Sequence, residues 1–91
     1  MIMSQNAEKI FQRMIQTKAG WRTRDFLTLY SGFGFIIIEG KKHITVIHPD
    51  YDIRDQISRS SGELPEGYAR DAVKNIKLLK QLTENSEEED G

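Results

Sequence analysis

The stretch from residue 33 to residue 48 constrains the fold more than any other part of the chain, because it holds two apolar runs separated by a turn. Residues 33–39 and 43–48 are rich in aromatic and β-branched residues, which favour strands. Gly40, Lys41 and Lys42 between them are typical of a hairpin turn, and Pro49 ends the ladder of the second run. A hairpin cannot hide its apolar side alone, so we expect other elements to cover it.

Those other elements are predicted on both sides of the hairpin. Apolar residues at helical spacing predict a helix over about residues 4–18, and a second helix is expected to begin at Thr23. Residues 54–59 predict a third, more polar strand, and Pro65 suits the first turn of a last helix. The core face of that helix is predicted to be formed by Ala69, Ala72, Val73, Ile76, Leu79 and Leu82.

The resulting fold class is α+β, in the order helix, helix, three strands, helix. We expect a three-stranded antiparallel sheet with helices on one face, since a sheet of this size needs a helical layer to bury its apolar side. The other face of the sheet would then be open to solvent or to a ligand. Lys74, Lys77 and Lys80 fall off the apolar stripe of the last helix and are expected to be solvated.

At 91 residues the chain is one small domain, and its charge is unevenly distributed. Five of the 14 acidic residues lie in residues 84–91, which leaves nine against 13 basic residues in the body. We therefore predict a mildly basic domain over residues 1–83, able to attract a polyanion, and a disordered acidic tail over residues 84–91. The absence of cysteine and of any long apolar run predicts a cytoplasmic protein with no membrane partner.

The chain has two histidines, at the two ends of the second predicted strand. Alternation along a strand places His43 on one face and His48 on the other, so they should not form one site. We expect neither a metal nor a cofactor, since tight metal sites need three or four convergent ligands. Asp50, Asp52 and Asp55 are read as a solvated loop, because their spacing lacks the features of a calcium loop.

His43 is the candidate for chemistry, and His48 is expected to be structural. An exposed imidazole beside Lys41 and Lys42 suits phosphodiester chemistry on RNA, in which imidazole moves a proton and the lysines hold phosphate charge. Arg59, near the end of the third strand, is expected to reach phosphate beside His43. For His48 we predict a ring packed on the sheet with a hydrogen bond to a nearby loop.

The run GFGFIIIEGKKHITVIHPDY resembles the HicA-type toxins of bacterial type II toxin–antitoxin systems. That family has a Gly-Phe pair, a short strand, Gly-Ser-His and then His-Pro after four residues. Gly40 and His43 match the turn glycine and the histidine, and His48 with Pro49 matches the second His-Pro. Further along, ISRSSGELPEGYARDAVKNIKLL resembles the family's third strand and closing helix, so the likeness covers about residues 22 to 82.

The resemblance implies a fold like a double-stranded-RNA-binding domain and an activity as a ribosome-dependent or free mRNA endoribonuclease, or mRNA interferase, with His43 as the catalytic residue. It also implies two partners, mRNA and a HicB-like antitoxin that covers the sheet face. The chain departs from the family at Lys42, which replaces the serine, in a turn that is one residue longer. A non-catalytic RNA-binding module on the same fold, and a protein-interaction domain, are the alternatives.

Overall fold

The computed structural model describes residues 5–90 of the chain, and the side chains of residues 6–84. It is an α+β fold with three helices and three strands in the order ααβββα, which confirms the predicted fold class. The helices are α1 (Gln5–Gln16), α2 (Thr23–Gly32) and α3 (Glu66–Asp90), and the strands are β1 (Ile36–Glu39), β2 (His43–Ile47) and β3 (Arg54–Ser58).

The three strands form one antiparallel sheet in the order β1-β2-β3. Its inner face packs against the helices and contributes Ile44, Val46 and Ile57 to the core, each almost fully buried. Ile44 lies opposite Ile57, and Val46 lies opposite Asp55. Because side chains alternate along a strand, the neighbours of these residues point to the outer face, away from the helices.

Helix α2 begins at Thr23, as the sequence predicts, and two side chains of its first turn hold its start. The Asp25 carboxylate accepts a hydrogen bond from the Arg22 backbone N–H at 2.9 Å. The Thr23 hydroxyl donates to the Ser58 carbonyl at 2.9 Å and ties the start of the helix to β3. After α2, Gly34 has a φ of +91°, a conformation that favours glycine, and the chain turns there into β1.

Helix α1 is the extra N-terminal helix that the sequence predicts over about residues 4–18, and it ends two residues earlier than expected; residue 4 lies outside the described residues. It buries Ala7, Phe11 and Met14 in the same core as the sheet, so it extends the helical layer. Lys80 of α3 forms an ion pair with Glu8 of α1 at 3.0 Å and lies 5.2 Å from the centre of the Phe11 ring. The prediction of a merely solvated Lys80 was therefore wrong.

Helix α3 follows Pro65 and buries the predicted face, with Ala69, Ala72, Val73, Ile76 and Leu79 buried and Leu82 partly buried. It continues to Asp90, through the segment for which the sequence predicts a disordered tail. Glutamate is a good helix former, and a helix that is already nucleated propagates at little cost. The division of the chain into a domain and a tail at residue 83 stays a prediction.

None of the helices described over residues 5–90 is both long and apolar enough to cross a membrane.

Candidate nucleic-acid interface

The turn between β1 and β2 carries the residues that the sequence predicts for RNA chemistry. The Gly40 N–H donates to the His43 carbonyl at 3.0 Å and closes the turn. A Cβ atom at position 40 would lie 2.8 Å from that carbonyl oxygen, closer than real side chains come. A glycine is therefore needed at position 40, and Lys41 and Lys42 are left exposed at the tip of the hairpin.

His43 is the first residue of β2, and its side chain is exposed. It lies opposite Ser58 and, by alternation, on the outer face of the sheet with Thr45 and Ile47. The expectation that His43 projects from the side without helices is therefore met. Within residues 6–84 no side chain forms a hydrogen bond or ion pair with the imidazole, so the ring is accessible to a ligand.

Arg59 binds the turn between β1 and β2. Its backbone N–H donates to the Lys42 carbonyl at 3.1 Å, and its Nε donates to the Gly40 carbonyl at 2.8 Å. Its guanidinium also forms an ion pair with Glu39 at 2.6 Å. Arg59 shares the parity of Ile57 and so lies toward the inner side of the sheet, whereas His43 lies on the outer side. A contact between Arg59 and RNA stays a prediction.

The rest of the outer face is partly apolar, a feature that was not predicted from the sequence. Ile36 and Ile38 of β1 are each 51% exposed, although β-branched residues in a short strand favour burial. Ile47 lies opposite both Ile36 and the exposed Arg54. The exposed isoleucines of the outer face are therefore bordered by a cation. The three consecutive isoleucines of β1 could have indicated this exposure. Side chains alternate along a strand, so a sheet that is covered on one face only cannot bury all three.

His48 has the structural role that the sequence predicts. Its ring meets the Phe35 ring edge-on, with centroids 5.0 Å apart, and lies 5.3 Å from the Tyr51 ring. Its Nδ1 accepts a hydrogen bond from the Asp50 backbone N–H at 3.1 Å, in the loop that follows β2. The two histidines therefore lie on opposite faces and do not form a common site.

A polar network surrounds the hydroxyl of Tyr30 and was not predicted from the sequence. The hydroxyl of the fully buried Tyr30 donates to Asp55 Oδ2 at 2.9 Å and accepts from Asn75 Nδ2 at 3.0 Å. Burial raises the pKa of Tyr30 well above its usual range. Burial also raises the pKa of Asp55, while the hydrogen bond from Tyr30 acts in the opposite direction.

Asp55 is therefore a half-buried residue of β3, and its assignment to a solvated loop was wrong. Asp50 and Asp52 are exposed, as expected. The network draws its partners from α2, β3 and α3, and no local spacing in the sequence indicates it. Among the residues whose side chains are described, no three His, Cys, Asp or Glu side chains come together as a metal site would require.

No family model matches this chain, and no characterised protein or solved structure matches it either. The likeness to HicA-type toxins therefore depends on the histidine motif and on the order of the elements.

Proposed function

We propose that this protein is a HicA-like toxin, an RNA-binding endoribonuclease that cleaves mRNA with a single histidine, His43. The observation that carries the proposal is the exposed imidazole on the helix-free face, directly after a turn that presents Lys41 and Lys42. An accessible imidazole can exchange protons with a bound substrate, and adjacent ammonium groups attract the phosphate that reacts. In this proposal the protein acts in the cytoplasm, where mRNA is found.

The proposed reaction is an internal transfer within the RNA and requires no metal. The imidazole of His43 accepts the proton of a ribose 2′-hydroxyl, and the 2′-oxygen attacks the adjacent phosphorus. The bond from phosphorus to the 5′-oxygen breaks, and that oxygen takes a proton from water. The hydroxide that remains takes the proton from the His43 imidazolium, which restores the neutral imidazole. The products are a 2′,3′-cyclic phosphate and a 5′-hydroxyl end. Lys41 and Lys42 stabilise the negative charge that builds up on the phosphoryl oxygens.

Arg59 has a supporting role in this proposal. Its bonds to the carbonyls of Gly40 and Lys42 limit the motion of the turn, and so fix where β2 begins and where His43 projects. Small displacements of a catalytic group reduce the rate strongly, so a residue that holds the turn influences catalysis without contacting RNA.

A HicB-like antitoxin is the proposed protein partner, and the outer face of the sheet is the surface it would cover. The exposed Ile36 and Ile38 favour a protein contact at this face, because a protein can bury apolar side chains more completely than the charged RNA backbone can. This observation also favours the second candidate function, a protein-interaction domain without nuclease activity.

The test is cleavage of labelled single-stranded RNA by the purified protein in the presence of a metal chelator, with the parent compared with His43→Ala. We expect cleavage by the parent and a loss of at least about a hundredfold in the variant, the usual contribution of a general base. Thr45→Ala is the matched control, since Thr45 lies on the same face of the same strand, and it should cleave like the parent. Expression in bacteria should arrest growth with the parent and not with His43→Ala.

RNA binding separates the alternatives. Replacement of Lys41 and Lys42 by glutamine should reduce the slope of log affinity against log salt by about 1.4, or about 0.7 for each lost phosphate contact on a single strand. Salt-dependent binding by the parent with no cleavage would indicate a binding module, and the absence of both would leave the protein-interaction domain. Equal cleavage by parent and His43→Ala would show that the role of His43 is wrong.

A further inference from the structure

A groove of about 510 Å³ lies between α1 and α3, and it is basic with an apolar floor. Lys18, Arg70, Lys74 and Lys77 supply the charge, and Ile15 and Leu78 supply apolar surface. Leu78 is 40% exposed, which is unusual for a leucine on a packed helix. The groove is formed by the helices that cover the inner face of the sheet. It is therefore separate from the exposed His43, which lies on the outer face.

The cations of the groove differ in how far they are already engaged. Lys18 donates to the Ile15 carbonyl at the end of α1, at 2.6 Å. Arg70 forms an ion pair with Glu66 at 3.0 Å, but both side chains are more than half exposed and such a pair contributes little. Lys74 and Lys77 have no carboxylate partner among the side chains of residues 6–84, so two cations of α3 are free to pair with another molecule.

The side of α3 that lines the groove continues along the helix as a stripe of polar residues, and the charge of this stripe changes from positive to negative. Positions 70, 74, 77, 81, 84 and 88 are spaced alternately by four and three residues, the spacing of a seam between two helices. The stripe is basic in its first half, with Arg70, Lys74 and Lys77. It is acidic in its second half, at the exposed Glu84.

Such a stripe complements itself in only one orientation. When two copies of α3 run antiparallel around a two-fold axis near residue 79, position 74 meets position 84 of the other copy, and position 77 meets position 81. Each copy then offers a cation to the other's acid, and the exposed Leu78 lies near the axis. A parallel pair would place like charges opposite each other, which is unfavourable.

We propose that this face of α3 is a self-association surface, on which a second copy of the chain binds antiparallel to form a symmetric dimer. The acidic half of the stripe would repel the phosphates of RNA, and the exposed leucine offers RNA nothing, so a second copy fits the whole stripe better than a nucleic acid does. Both outer sheet faces stay accessible in such a dimer. The proposal does not depend on nuclease activity.

The test is sedimentation velocity of the full chain at low and high salt, from micromolar to millimolar concentrations. We expect a dimer that weakens as salt rises. Lys74→Glu and Glu84→Lys should each raise the dimer dissociation constant about tenfold, because each places like charges together twice per dimer. The double variant restores opposite charges and should return to within about threefold of the parent.

Lys9→Glu is the matched control for Lys74→Glu. Lys9 is exposed on α1 outside the groove, and its substitution changes the net charge by the same amount. It should dimerise like the parent. Leu78→Asp should leave only monomer, with an unchanged thermal unfolding midpoint at a concentration where the parent is also monomeric. A parent that stays monomeric throughout, or a double variant no better than the single ones, would overturn the proposal. A monomer whose RNA affinity falls in Lys74→Glu and not in Lys9→Glu would assign the groove to RNA and overturn it too.

Discussion

Two histidines flank strand β2, His43 as its first residue and His48 directly after its last, and they have opposite surroundings. On the outer face, His43 is exposed, and within residues 6–84 no side chain binds its ring. On the inner side, His48 packs against Phe35 and Tyr51 and accepts a hydrogen bond through Nδ1. The same residue type is thus a candidate for chemistry at one end of a five-residue strand and part of the packing at the other.

The difference extends beyond the histidines. Polar groups on the inner side are engaged by partners far away in the sequence, as Asp55 is by Tyr30. On the outer side, the His43 side chain is accessible, and the neighbouring isoleucines of β1 are exposed. A substitution on the inner side should therefore change the free energy of unfolding, and one on the outer side should change activity or binding. The following predictions test this contrast in order of decreasing effect on stability.

Tyr30→Phe should have the largest effect. It removes the hydroxyl that donates to Asp55 and accepts from Asn75, and leaves these two half-buried side chains each with an unmade hydrogen bond. We expect a loss of about 1–3 kcal/mol in the free energy of unfolding, measured by urea denaturation at neutral pH. Cleavage per folded molecule should not change. A loss below about 0.5 kcal/mol, the range of ordinary surface substitutions, would show that the network contributes nothing.

His48→Ala should cost about 1–2 kcal/mol, because it removes an edge-on ring contact and the acceptor for the Asp50 N–H. His48→Phe keeps a ring without the acceptor, so it should recover part of the loss. Both variants should cleave RNA like the parent when corrected for the folded fraction. A stable His48→Ala variant that no longer cleaves RNA would reverse the roles assigned to the two histidines.

Asp55→Asn should change how stability depends on pH. Burial raises the pKa of Asp55 in the folded state above that of the unfolded chain, so the folded state binds the proton more tightly. The stability contributed by protonated Asp55 is complete below the ordinary aspartate pKa of about 4 and is lost as pH rises through the raised pKa.

The parent should therefore lose stability relative to Asp55→Asn as pH rises from acid to neutral. Denaturation of both proteins across this range measures the difference, and titration of Glu8, whose pKa is lowered, cancels between them. A difference that stays constant with pH would contradict the assignment.

His43→Ala should have the smallest effect on stability, within about 0.5 kcal/mol, since the ring is exposed and unpaired among the described side chains.

Arg59→Gln should stay within about 1 kcal/mol, because its ion pair with Glu39 is exposed. The two should differ in kinetics. His43→Ala should lose cleavage, whereas Arg59→Gln should lower kcat with little change in KM, as expected when only the turn is displaced. A raised KM in Arg59→Gln with unchanged kcat would instead support the predicted contact between Arg59 and RNA.

Local pattern was enough to predict the order of the elements, the hairpin turn at Gly40, the buried face of α3 and the opposite orientation of the two histidines. Each of these follows from residues within a few positions of one another, where spacing decides which side chains share a face. His43 could be selected as the candidate residue for the same reason, because alternation along β2 separates it from the core.

The partners that cross the fold were decided by tertiary structure. Tyr30 meets Asp55 and Asn75 across 25 and 45 residues, and Lys80 meets Glu8 across 72. Arg59 meets Glu39, 20 residues earlier. Such pairs depend on how helices and strands are placed against each other in space, and the helical or strand period of one segment carries no information about the segment that will face it.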